Sequence, residues 1–234
     1  MNYLKLILSI LYLFFPFHCF GLETFVIDPG HPSENGVGAR SPRGFREVDL
    51  NWQVACHMKS LLALEKQFRI IMTRDSFDET VTNRHRAEIA NAASASLMLR
   101  IHCDSGHGHG VTLYYPALPG QLGNDRGPSP EVCSASAVLA SLVQNHLSQA
   151  LGASYRVNRV KTDRQTAIGS RQGALTGSIF SHVPVVTIEL GYLDNPLDES
   201  FLTATPTQNL LSEALAGAIR HCFGKLTENR PGNH

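Results

Sequence analysis

The stretch Thr24-Phe25-Val26-Ile27-Asp28-Pro29-Gly30-His31 decides how the chain is read. Residues of strand character run into Asp-Pro-Gly, and the run stops on a histidine. Proline fixes φ and glycine tolerates either sign of φ, so the chain is expected to turn sharply just past the strand. His31 is then left at the carboxyl end of a strand, the edge where open α/β sheets collect ligands and metals.

Outward from that strand, strand and helix signals alternate, the pattern of an α/β fold. Residues 32–45 form a polar, glycine-rich loop. Residues 49–66 read as a helix, with Leu50, Val54, Met58, Leu61 and Leu62 at helical spacing. Residues 68–72 are a second strand and 82–93 a second helix, which carries Arg86, Ala90 and Asn91. A third strand, 97–101, delivers His102 at its end, and 111–115 is a fourth. Residues 116–130 read as a surface loop punctuated by proline and glycine. A helix over 135–150, an irregular segment over 154–180, a buried strand over 183–190 and a closing helix over 208–223 complete the pattern. Residues 226–234 read as a flexible tail.

The 234 residues, 43% of them hydrophobic, suit one large domain. Charged residues make up 17% and the net charge is zero, which argues against disorder and against a nucleic-acid footprint. Residues 1–5 carry one lysine, residues 6–17 are almost wholly apolar, and Cys19 and Gly21 fit the −3 and −1 positions of a cleavage site. This is the pattern of a secretory signal peptide over 1–21, too short for a comfortable membrane span. The expectation is an exported, periplasmic protein whose catalytic domain covers 22–225, with no membrane span in the mature form. An uncleaved anchor is the competing reading. Export leaves Cys56, Cys103, Cys133 and Cys222, which allow three pairings with none preferred. No Cys-x-x-Cys exists to support a cysteine zinc site. Cys103, in an apolar strand, reads as a packed thiol.

Three metal-ligand side chains fall at comparable places: His31 after the first strand, His102 after the third, and Glu47 at the start of the first long helix. They lie 16 and 55 residues apart, so only a fold could bring them together. Two imidazoles and a carboxylate make a catalytic zinc set with a fourth position left for water. Such a site lowers the pKa of that water to about 7 and polarises a carbonyl. It also needs a general base that does not bind the metal. Glu189, ending the apolar run Val185-Val186-Thr187-Ile188, is the candidate. Plainer readings stand beside these: a structural histidine, a helix-start charge favoured by the dipole at Glu47, a salt-bridged carboxylate at Glu189. His107 and His109 could add a metal contact or sit in solvent. Lys161 and Arg164 could meet substrate carboxylates or belong to a solvated loop.

Five motifs in order resemble the zinc-dependent N-acetylmuramoyl-L-alanine amidases of bacterial cell walls. They are Val26-Ile27-Asp28-Pro29-Gly30-His31, Gly44-x-x-Glu47, Arg86-x-x-x-Ala90-Asn91, Leu99-Arg100-Ile101-His102, and residues 186–196 from Val186-Thr187-Ile188-Glu189 to Asn195-Pro196. The resemblance runs from about Thr24 to Phe223. It implies a single-domain, three-layer α/β/α sandwich around a mostly parallel or mixed sheet, Zn2+ held by His31, Glu47 and His102, and Glu189 as catalytic residue. It further implies cleavage of the amide between muramic acid and the first L-alanine of the stem peptide. The substrate would be peptidoglycan, muropeptides or a lipid-linked precursor, in wall remodelling or division, with an activator protein as a possible partner. Pro32-Ser33 replaces the usual Gly-Gly after the first histidine. Arg100-Ile101-His102-Cys103-Asp104 replaces the usual Ser-Ile-His-Ala-Asn, which puts substrate preference in question. The connection after Tyr115 is too short and too rich in proline and glycine for the helical plug of some relatives, and no further wall-binding domain is visible. A zinc peptidase or carboxypeptidase on the stem peptide is the alternative. A wall-binding protein on a disabled scaffold is a third reading.

Overall fold

The apolar run at residue 24 forms the strand β1 (Glu23–Pro29) in the computed structural model, which describes residues 22–228. Alternation sends Phe25 and Ile27 to one face of the sheet and Val26 and Asp28 to the other. After β1 come α1 (Glu47–Leu62), β2 (Phe68–Met72), α2 (Asn83–Ala92), β3 (Leu97–Asp104) and β4 (Thr112–Tyr115). The second half holds α3 (Pro130–Leu151), the two-residue β7 (Lys161–Thr162), short helices α4 (Gly169–Gln172) and α5 (Thr176–Ile179), β8 (Val185–Tyr192), α6 (Pro196–Thr203) and α7 (Thr205–Glu228). Between β4 and α3 lies a hairpin, β5 (Gly120–Leu122) and β6 (Asp125–Gly127).

Six strands make one sheet in the order β2-β1-β3-β8-β4-β7. β2, β1, β3 and β8 run parallel, and β4 joins β8 antiparallel. The sheet is therefore mixed, with helices on both faces. One face carries Phe25, Ile27, Leu99, Ile101, Val186 and Ile188, which pack with α1, α3 and α7 into the main core. The opposite face is apolar only near its start, where Val26, Met98 and Val185 pack on Ala90 of α2. Further along it turns polar, with Asp28, Arg100, His102, Thr187 and Glu189. This polar half is what the short helices leave room for.

Several expectations need correction. Residues 116–130 contain the β5–β6 hairpin, whose three-residue strands are too short to show a period. α6 was not expected. It starts at Asn195, whose side chain caps Leu197 and Asp198, with Pro196 at the first turn. The 154–180 segment holds β7, a 3-10 turn, α4 and α5. α7 runs through Glu228, so residues 226–228 are helix and not tail. The sequence leaves cysteine pairing open, and Cys56, Cys103, Cys133 and Cys222 are free thiols among the described residues. Residues 1–21, read above as an export signal, and 229–234 lie outside the described residues. Among the described residues, no helix is long and apolar enough to cross a membrane.

Candidate metal centre and cleft

β1, β3 and β8 all deliver their carboxyl ends to one rim. His31 follows β1, and His102 and Glu189 sit opposite each other in register on β3 and β8. The turn at His31 differs from the expected one. His31 itself takes the left-handed conformation, φ 59°, while Gly30 does not. Gly30 is required for closeness instead: a Cβ there would fall 2.3 Å from Cε1 of His102. Gly38 lies against the other two ligands, with a Cβ position 2.4 Å from Oε2 of Glu47 and 2.7 Å from Cδ2 of His31.

Glu47 opens α1 and is 3% exposed. Its Oε1 lies 3.4 Å from Nε2 of His31 and 3.0 Å from Nδ1 of His102. The ligand atoms of His31, Glu47 and His102 all fall within 4.8 Å of one another. Oε1 also accepts from the amide of Cys103 and from Asn51, one helical turn on, while Oε2 accepts from the amide of Ala39. Burial pushes the Glu47 carboxyl up, but the bond from His102 and the nearby imidazoles outweigh it and hold the carboxyl at about 2. Burial lowers the His102 imidazole against the pull of Glu47.

These residues fit a divalent cation. Nδ1 of His31 lies 3.0 Å from the carbonyl of Gly36 and must donate to it, so in the neutral ring Nε2 is a bare lone pair. That lone pair faces an ionised carboxylate oxygen at 3.4 Å, a contact that becomes attractive when a proton or a metal cation lies between them. The bond to Gly36 is also the outer contact that orients a metal-binding imidazole.

Glu189 stands beside this cluster, and its Oε2 is buried with no hydrogen-bond partner among the described residues. Burial first, then the charges of Glu47 and Asp104, raise its carboxyl well above the usual range, and Arg100 only partly offsets them. A cleft of about 380 Å³ opens here, lined by His31, Ser33, Asn35, Asn83, Arg86, Arg100, His102, Ile168, Leu175, Thr176, Thr187 and Glu189. Chemically, the arrangement can hold a cation, keep a base next to it and admit an extended ligand.

Other candidates fall elsewhere. His109 pairs with the buried Asp198 at 2.5 Å and not with the cluster. Lys161 and Arg164 do not line the cleft. Cys103 is buried in the core. Sequence reasoning overlooked Asp28, which is buried and bonded to Arg86, Arg100 and Thr73, and Asn51, whose signal was its position four residues after Glu47 on a helix.

Fold and site together define a class: an α/β/α sandwich with a His/Glu/His cluster able to hold a metal at the carboxyl edge of its parallel strands. The comparisons sharpen this. The chain belongs to the N-acetylmuramoyl-L-alanine amidase family, whose model matches residues 25–221. It is 25% identical over 214 residues to the N-acetylmuramoyl-L-alanine amidase CwlM of Mycobacterium tuberculosis, covering 88% of this chain and 46% of the relative. It is 26% identical over 205 residues to the probable cell wall amidase LytH of Staphylococcus epidermidis, covering 86% of this chain and 58% of LytH. The chain thus spans about half the length of these curated relatives. In fold it is similar to the amidase AmiC2 of Nostoc punctiforme, with TM-score 0.68, 23% identity and coverage of 88% and 98%. It is also similar to the CwlD amidase of Clostridioides difficile in complex with the GerS lipoprotein, with TM-score 0.67, 18% identity and coverage of 87% and 99%.

Proposed function

We propose that the chain is a zinc-dependent N-acetylmuramoyl-L-alanine amidase that hydrolyses the amide between muramic acid and the first L-alanine of the peptidoglycan stem peptide. One observation carries this reading: His31, Glu47 and His102 converge within 4.8 Å beside Glu189, whose Oε2 is unpartnered, in a chain of that family. The two imidazoles and Glu47 would hold the cation, which when bound would supply Lewis acidity to the acyl oxygen and acidify water. Glu189 accepts the proton of the attacking water and passes it to the leaving nitrogen. Water oxygen bonds to the lactyl carbonyl carbon, the C–N bond breaks, and a lactyl carboxylate and a free alanine amine result. Burial and the charges of Glu47 and Asp104, which raise the Glu189 carboxyl, suit a group that must both take a proton and give it back.

Export to the periplasm, cleavage after Gly21, a role in wall remodelling or division, and a lipid-linked precursor as substrate belong to the same proposal. So does an activating partner protein; the structurally similar CwlD amidase was solved in complex with a protein partner, the GerS lipoprotein. The test is mass spectrometry of muropeptides digested by the zinc-loaded protein, alongside metal analysis. Free lactyl carboxylate with intact peptide supports the reading. Loss of a terminal D-alanine alone would replace it with a carboxypeptidase.

A further inference from the structure

Arg100 lies in β3 and faces the cleft. It is 4% exposed and lines the floor of the cleft. Its Nε donates to Asp28 Oδ2 at 2.9 Å and its Nη2 to Asn83 Oδ1 at 2.6 Å. Among the described residues, Nη1 has no hydrogen-bond partner in the protein, and Asp28 is the one carboxylate within ion-pair distance of Arg100. Asp28 is shared with Arg86, whose nitrogens are spent on Asp28 and the carbonyls of Val81, Pro29 and Pro32. At bonding distance the two guanidiniums share one carboxylate; further off, Glu189 and Asp163 face Arg100 and Glu34 faces Arg86, so what the cleft is left with is the unbonded Nη1 of Arg100. Asp163 is outside ion-pair distance of Arg100; its Oδ2 accepts from the amide of Leu175 and its Oδ1 is buried with no partner among the described residues.

A second observation comes from the neighbouring strand. Thr187 pairs with Arg100 in register between β8 and β3, is 3% exposed, and its hydroxyl is buried with no partner among the described residues. A charged donor and an unused hydroxyl thus lie side by side in the same cleft. Both sit two residues before the pair His102 and Glu189, which is roughly 6–7 Å back along the strands.

We propose that Arg100 and Thr187 form a subsite for a carboxylate carried by the residue that follows the first L-alanine of the stem peptide. The cleft then prefers an acidic second residue to its carboxamide. This rests on the amidase reading above. From the scissile carbonyl, across one alanine, to a carboxyl group on the next residue is also roughly 6–8 Å in an extended chain. A buried guanidinium matches a carboxylate in both charge and geometry, whereas a carboxamide brings no charge and turns an N–H toward donors. A site built around such a group rejects the analogue that lacks it.

The test uses two synthetic muramoyl peptides that differ only in a free or amidated carboxyl on the second residue. Steady-state kinetics of the zinc-loaded protein should favour the acid by about 10- to 100-fold, chiefly through KM, the range expected for bonds to a charged group. Arg100→Gln should bring the two to within about twofold at unchanged zinc content, and Arg100→Lys should keep part of the preference. Because Arg100 also braces Asp28, Thr187→Val serves as the second variant and should narrow the ratio severalfold. A wild-type ratio near one overturns the subsite even if no variant folds. Should neither peptide be cleaved, the amidase reading fails. Calorimetric titration with the two free stem peptides then judges the subsite separately: tighter binding of the acid supports it, and equal binding overturns it.

Discussion

Glu189 is set apart from the other acids of the cleft by what it lacks. Glu47 is ringed by donors and held at about 2, while Glu189 keeps a buried oxygen without a partner and titrates well above the usual range. Two outcomes follow at this scale. Glu189→Ala should retain stoichiometric zinc yet lose turnover by about 10²–10⁴-fold, the usual contribution of a general base, while His102→Ala should lose metal and turnover together. Metal analysis with muropeptide release distinguishes them, and normal turnover in zinc-loaded Glu189→Ala would remove Glu189 from the mechanism. The second outcome concerns pH. A carboxyl raised on folding stabilises the fold only while neutral, so its contribution is present below the ordinary carboxylate pKa and is lost as pH rises through the folded value. In chelated protein, Glu189→Gln should therefore be more stable than wild type at pH 7, by about 2–4 °C in Tm for roughly 1 kcal/mol. The gap should close near pH 4; a gap that does not change with pH would show that the carboxyl is not raised. For Gly30→Ala, the added methyl must displace the His102 ring. Zinc affinity should fall by about 10–100-fold, read by competition with a chromogenic chelator, while the far-UV circular dichroism stays unchanged.

At the scale of elements, Asp28 is the clamp. It ties β1 to Thr73 after β2, to Arg86 on α2 and to Arg100 on β3, all from a position with no exposure. Burial raises its carboxyl, yet Arg86 and Arg100 overcome that and hold it far below the usual range. Asp28→Asn would leave two buried guanidiniums without their counter-charge, so a loss of about 3–5 kcal/mol is expected. Urea unfolding monitored by tryptophan fluorescence measures it, and a loss below about 1 kcal/mol would show the clamp to be dispensable. Asn91 does a similar job for the chain entering β8: it accepts from the amide of His182 and donates to the carbonyl of Phe180. Strands with two apolar faces and helices with a regular period were legible in the sequence. The hairpin β5–β6, α4 and α5 were not, because three or four residues show no period. α6 was missed although Asn195-Pro196 is a helix start, since its apolar stripe is only two turns long.

For the whole molecule, the His31, Glu47 and His102 cluster joins parts that are far apart in the chain: the loop after β1, the start of α1 and the last part of β3. A cation bound only by the folded state must stabilise that state. With free zinc at about 100 times its dissociation constant, the gain is about 2.7 kcal/mol, or roughly 5–11 °C in Tm for a domain of this size. Differential scanning calorimetry with and without a chelator checks this, and the difference should vanish in His31→Ala. The main core lies on the opposite face of the sheet, where α7 packs on α1 and α3. A polar cleft can exist on the other face because stability is drawn mainly from there.

Local sequence was enough to read the alternation of strands and helices, the apolar faces, and the placing of His31 just past β1, since each depends on the period and turn chemistry of neighbouring residues; His102 was expected past a strand ending at residue 101 but lies inside β3, which runs on to Asp104. Only the tertiary structure decided which of these ends share a rim, why Gly30 and Gly38 must lack side chains, and that Asp28 balances two arginines while one guanidinium nitrogen and one threonine hydroxyl are left over. Those are facts about distance between residues remote in the chain. They come from strand order and register, which a one-dimensional pattern does not encode.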